Sequence, residues 1–179
     1  MYGIINVAIE NYVLNNYGEN TWENVKSRYG TDIDFLLTEQ PYNEAVFYKL
    51  AALLAEETGI TVDEALFNFG EHIMKTTREK YSGVMESRGS NLKEYLINLP
   101  NFHNRIMLIY PNLSPPEFGI SNVEDNSICV HYMYKQKGIR SFVLGYLSGL
   151  IFIFKEKATA KWLKTIESGQ PQEVFKISW

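Results

Sequence analysis

The stretch "YPNLSPPEFGI" (110–120) divides the chain into two kinds of hydrophobic pattern. Before it, apolar residues recur at helical spacing; after it, they alternate. Proline has no backbone N–H and a fixed φ, so the pair Pro115–Pro116 ends a helix and has no place in a central strand. Upstream, Ile4, Ile5, Ala8, Ile9, Tyr12 and Val13 recur with a period of 3.6, and Gly18 closes the segment. "ENTWENVKSRYG" predicts a second helix, capped by Asn20 or Thr21 and stopped at Gly30. "YNEAVFYKLAALLAEETG" predicts a third, from a cap at Asn43 to Gly59. "TVDEALFNFGEHIMKTTREKY" opens with a Thr61/Glu64 capping box and runs on past Gly70. A mid-helix glycine costs about 1 kcal/mol against alanine, so Gly70 marks a bend or a close approach. After "NLKEYLINLPN" a further helix is expected to start near Phe102 or His103.

Downstream, "EFGISNV" and "NSICVHYMYK" alternate as strands around a turn at Glu124–Asn126. A buried helix follows at 139–156, then strands near 158–167 and 172–178. Helices followed by strands with one inserted helix make the fold class α+β rather than alternating α/β. The whole chain, 1–179, reads as one domain, with a helical part at 1–60 and a mixed part at 61–179.

Composition narrows the function. A net charge of −4 leaves no basic stripe for nucleic acid, and the densest basic cluster, "KQKGIR" at 135–140, is small. Cys129 is the only cysteine, which rules out an internal disulfide and a Cys-rich zinc site and fits a reducing cytoplasm. The N-terminus carries Glu10 inside its apolar pattern and has no basic leader, so it does not read as a signal peptide. The longest apolar run, "GYLSGLIFIF" at 145–154, is too short for a bilayer. The expectation is a cytoplasmic protein without membrane contact. No G-x-S-x-G, P-loop or G-x-G-x-x-G is present, and His72, His103 and His131 lack metal-site spacing.

His103, in "LPNFHNRI", is either a hydrogen-bonded core histidine or a ligand. A heme needs one strong axial nitrogen, an apolar slot and polar groups at one edge. Apolar helix faces, this histidine and the polar "HYMYKQK" at 131–137 offer those three things.

Taken in order, the segments "MYGIINVAIENYVLNNYGENTW", "LPNFHNRIMLIYPNLSPPEF" and "GIRSFVLGYLSGL" resemble a heme nitric oxide/oxygen-binding (H-NOX) domain, related to the heme-bearing sensor domain of soluble guanylate cyclase. The likeness extends over essentially the whole chain. It implies the H-NOX fold, a heme b cofactor (iron protoporphyrin IX) and His103 as the proximal iron ligand. Pro116 matches a proline that presses on the heme, although it also reads as a plain helix terminator. Gly70 matches a hinge glycine, and close helix packing explains it equally well.

The chain departs from the family at the propionate motif Y-x-S-x-R. Here Tyr132 is kept, while Tyr134 and Gln136 replace the serine and arginine. The lost arginine would have given a bidentate, charge-assisted bond. Tyr134 still offers one donor, and Arg140 is a candidate to reach in from the next helix. On the gas side, alignment puts Phe142 at the distal tyrosine, with Ile9 and Ile73 at the helper positions and Ile5 on the same first helix. None of these can donate a hydrogen bond, so the resemblance implies a nitric-oxide-selective pocket, with carbon monoxide a further candidate. Tyr146, one turn beyond Phe142, would stabilise oxygen if its hydroxyl turned inward. His72 and His131 read as structural, His72 facing outward, and Cys129 as a small buried hydrophobe.

The implied function is a gas sensor rather than an enzyme, signalling to a separate histidine kinase or cyclic-di-nucleotide enzyme. The alternative is a heme-free or altered-ligand binding module on the same fold, which the degenerate 132–136 motif keeps open.

Overall fold

Short glycine-punctuated helices build the first part of the chain, and the structure, a computed structural model, describes residues 2–30, 44–80, 82–109, 117–134, 138–169 and 171–179. Side chains are described for all of these except 2–7, 44, 84, 102–107 and 109. Helix α1 (Tyr2–Tyr17) and helix α2 (Glu19–Tyr29) meet at Gly18. The expected cap of α2 at Asn20 or Thr21 is corrected: the helix already begins at Glu19, and the Thr21 hydroxyl donates back to the Tyr17 carbonyl at 3.1 Å. Gly30 ends α2 at φ 83°, a left-handed conformation that glycine adopts without steric cost. Helix α3 (Glu44–Thr58) closes at Gly59; Asn43 lies outside the described residues.

Helix α4 (Val62–Lys80) starts as expected, with the Glu64 N–H donating to Thr61 Oγ1 at 3.1 Å. Its Ala65, Leu66, Phe69, Gly70, Ile73 and Met74 are buried on one face. Burying such a side chain contributes about 1.5–3 kcal/mol for the larger ones. That face packs on α1, on α3 and, most extensively, on helix α7 (Arg140–Phe154). Gly70 resolves as the close approach: a Cβ there would stand 2.1 Å from the Phe142 carbonyl oxygen and 2.7 Å from the Tyr146 nitrogen.

A one-turn helix α5 (Ser82–Glu86) leads to helix α6 (Leu92–Ile109). The expectation that this helix starts near Phe102 or His103 placed it too late, because α6 continues straight through Pro100. Two things outweigh the proline. Leu92, Tyr95, Leu96 and Leu99 are buried along one stripe, and the N-terminus is capped. Asn91 Oδ1 accepts the Glu94 N–H at 2.9 Å, while the Glu94 carboxylate accepts from the Ser90 N–H and hydroxyl, each at 2.8 Å.

The strands are β1 (Glu117–Ser121), β2 (Ser127–Met133), β3 (Thr159–Ile166) and β4 (Gln172–Ser178). They form one antiparallel sheet in the order β1-β2-β4-β3, with α7 inserted between β2 and β3. In register, Phe118 pairs with Tyr132 and Val130 with Phe175. Ile128, Val130, Tyr132, Phe175 and Ile177 are buried, and they join the helices in one continuous core. The fold is α+β. Among the described residues, no helix is long and apolar enough to cross a membrane.

Candidate functional site

Helix α6 carries position 103. Position 103 follows four residues after Leu99, the last of the buried Leu92, Tyr95, Leu96 and Leu99. The His103 side chain lies outside the described ones, as does that of Ile5 on α1.

The strand residues are better defined. Tyr132 and Tyr134 are 1% and 6% exposed, respectively, which places both phenols inside. Phe118 meets Tyr132 edge-on with ring centroids 5.3 Å apart. Tyr134 lies one residue past the end of β2, and its N–H donates to the Pro171 carbonyl at 3.2 Å. Gln136 and Pro116 lie outside the described residues. Arg140 does not reach in: it is exposed, and its guanidinium stacks over the Trp162 ring at 4.5 Å. Stacking on an indole is a stable rest for guanidinium.

Ile9 on α1, Ile73 on α4 and Phe142 on α7 all fall in the one core cluster, buried and without a hydrogen-bonding group. The Phe142 ring stacks on Phe47 of α3, 5.8 Å away and 19° from parallel.

The sequence reading missed a buried polar cluster beside these residues. Arg88, just before α6, is buried, and its guanidinium donates to the Tyr95 hydroxyl while lying 5.3 Å above the Tyr95 ring. Asn98 Nδ2 donates to the Arg88 carbonyl at 2.7 Å and pins that loop to α6. Tyr146 on α7 feels the charges of both. Burial pushes the Tyr146 phenol well above its ordinary range, Tyr95 adds to the rise, and Arg88 opposes it. Tyr146 is half-buried, and its ring stacks on Phe118 at 6.1 Å. Nothing in "ESRGSN" signals a buried arginine; the segment reads as a solvated loop.

The histidines sort themselves by partner. His131 sits on the opposite face from Tyr132, with Nε2 2.6 Å from Ser121 Oγ and Nδ1 2.7 Å from Gln172 Oε1, a bridge across three strands. His72 does not face outward as expected. It is half-buried, edge-on to Tyr12 at 5.7 Å, and burial followed by the Lys75 charge lowers its pKa. The reason is that Tyr12, tied by Asn68 Nδ2 at 2.8 Å, presents its ring to α4. Cys129 is a buried free thiol.

Comparison with known proteins gives a consistent neighbourhood. A family profile described as Haem-NO-binding matches residues 2–162. Soluble guanylate cyclase gcy-31 of Caenorhabditis elegans is 29% identical over 151 residues, which cover 84% of this chain and 22% of that protein. Soluble guanylate cyclase 89Db of Drosophila melanogaster is 23% identical over 149 residues, 83% of this chain and 22% of that protein. The chain thus spans about a fifth of the length of these relatives. Among solved structures, a T. Tengcongensis H-NOX mutant matches with a TM-score of 0.83 and 21% identity, covering 99% of this chain and 97% of that one. A mutant of an Fe(II) unliganded H-NOX protein from K. algicida matches at 0.80 and 21% identity, covering 99% and 96%.

Proposed function

Since the chain belongs to the Haem-NO-binding family, we propose that it is a sensor domain that holds heme b through His103 and responds to nitric oxide. Bound heme would supply an iron that takes a diatomic gas. The observation that carries the gas assignment is the shared burial of Ile9, Ile73 and Phe142 in one core without a donor among them. A pocket with a hydrogen-bond donor would favour oxygen there, whereas a dry one would favour nitric oxide.

The residues also suit the group chemically. Tyr132 and Tyr134 are buried phenols at the end of a strand, able to donate to carboxylates at a heme edge. Gln136 in place of an arginine leaves that edge without a bidentate cation, so in this reading affinity for heme is lower than an arginine would give. On the same reading, Ile5 and Pro116 are the residues we would assign to contact with the heme. The boundary near residue 60, between α3 and α4, is where we take the helical part to move against the rest when the His103 tether changes.

This reading makes the chain a sensor and not an enzyme, working in the cytoplasm on a separate partner. A histidine kinase or a cyclic-di-nucleotide enzyme is the partner class we favour. Carbon monoxide is a second gas the same pocket would take. The test is the visible spectrum of reduced protein made with heme available. A sharp heme band that ignores oxygen, shifts with nitric oxide and is lost or altered in His103→Ala is the expected result. Absence of any heme band would leave a heme-free binding module on this fold as the better account.

A further inference from the structure

The strongest unassigned feature is the edge of the sheet at β3, which ends the order β1-β2-β4-β3. The other edge, β1, is half-buried apart from Glu117, and α6 packs against it. On β3, by contrast, Lys161, Trp162, Leu163 and Lys164 are all exposed, and among the described residues only β4 pairs with the strand. The register shifts between Trp162 and Lys164, so Leu163 is the extra residue of a bulge. Cross-strand partners point to the same face of a sheet, and successive residues to opposite faces. Trp162 lies across from Phe175, which belongs to the core, so its indole stands on the helix side of the sheet. Lys161 and Lys164 lie across from Lys176 and Val174, on the opposite face. The indole is held in place, with Arg140 over the ring at 4.5 Å and Nε1 donating to the Glu173 carboxylate at 2.6 Å. Trp162 nevertheless stays 42% exposed, and Leu163 47%.

Lysines and a bulge guard a sheet edge against pairing with like copies, but an exposed Trp and Leu are no part of that protection. Residues 155–164 hold four lysines and one glutamate, in a chain whose net charge is −4. Among the described residues, none of those lysines enters an ion pair. We propose that the β3 edge is the docking site for an extended acidic segment of a partner protein, which adds to the sheet as one more strand. Side chains alternate along such a strand, so carboxylates on one face meet Lys161 and Lys164 while apolar groups on the other cover Trp162. A bilayer surface fits less well, because the cations and the indole stand on opposite faces of the edge. A second copy fits worse, since edge-to-edge pairing would set these lysines against one another. Pinning the indole before docking lowers the cost of ordering it. Neither heme nor gas enters this docking.

The test titrates the purified chain with a short synthetic peptide alternating Glu and Val, followed by backbone amide NMR shifts. Saturable binding is expected, with the shifts concentrated along β3 and the affinity falling as salt is added. The double variant Lys161→Glu/Lys164→Glu is expected to bind about tenfold more weakly or worse. Both side chains are exposed and Lys161 lies across from Lys176, so the reversal is compatible with the fold, which urea unfolding of the variant checks. The same peptide N-methylated throughout keeps its charge and apolar groups but loses every amide donor, and it is expected not to bind. No binding of the first peptide, shifts centred away from β3, undiminished binding by the double variant, or equal binding of the N-methylated peptide would each overturn the proposal. Binding to phosphatidylserine vesicles in place of the peptide would overturn it in favour of a membrane contact.

Discussion

Gly145 on α7 lies so close to α4 that a Cβ on it would stand 1.9 Å from the carbonyl oxygen of Phe67. Gly70 repeats the relationship from the other side, against Phe142, and Gly149 packs against Met74, whose Cβ would be 2.8 Å from an added carbon. The two helices therefore cross with backbones in contact, and that crossing holds Phe142 and Tyr146 in place. Gly145→Ala and Gly70→Ala force backbone to move, and each is expected to destabilise the fold by about 1–3 kcal/mol. Gly83→Ala, where nothing lies within 4 Å, is the control. It sits in a helix and is expected to be neutral or to stabilise by about 0.5–1 kcal/mol. Urea unfolding of the three variants measures this directly.

Phe142→Tyr places a hydroxyl in the apolar core, on a ring that stacks on Phe47. The cost to stability is expected at about 1–3 kcal/mol if the new group finds no partner. In heme-loaded protein the same hydroxyl is expected to confer a stable response to oxygen, read from the visible spectrum. Unchanged indifference to oxygen would mean that Phe142 does not face the gas.

His72 gives the chain a predictable acid dependence. Its pKa lies below the ordinary 6.5, chiefly through burial and next through Lys75, with Glu79 and Glu71 opposing. The unfolded chain thus binds the His72 proton more tightly than the folded one. Stability contributed here is full above the unfolded pKa, falls as pH drops through it, and levels off below the folded pKa. Replacing His72 with Gln is expected to flatten the stability profile between about pH 7.5 and 5. An unaltered slope would assign the dependence to other groups.

Asn91→Ala removes the side-chain acceptor of the Glu94 N–H at the start of α6. A lost cap of this kind costs about 1 kcal/mol. Because α6 carries position 103, the variant is also expected to lose heme faster than the parent, which transfer to an excess of a heme acceptor would time. Equal loss rates would show that the end of α6 does not steady the site.

Much of the fold was legible before any coordinates. Gly30 and Gly59 end helices, Thr61 and Glu64 form the expected cap, and the four strands fall where alternation put them, because each signal is completed within a few residues of itself. The continuity of α6 was not. Pro100 is a local breaker, and only burial of Leu92, Tyr95, Leu96 and Leu99 against distant elements overrides it. The same limit explains His72, whose surroundings depend on how Tyr12 is presented from α1.

By itself the sequence determined the order and type of the elements, the acidic balance, the single thiol and the ordered motifs that mark the family, all carried by neighbouring residues. Tertiary structure alone decided where the long polar side chains go. Arg140 was free to reach inward and instead rests on Trp162, while Arg88, in a segment that reads as exposed, is buried against Tyr95. A hydrogen bond between side chains far apart in the chain leaves no periodic trace in either segment. The same holds for ring contacts such as Arg140 over Trp162 and Tyr146 on Phe118, which exist only once α7 is packed on the sheet.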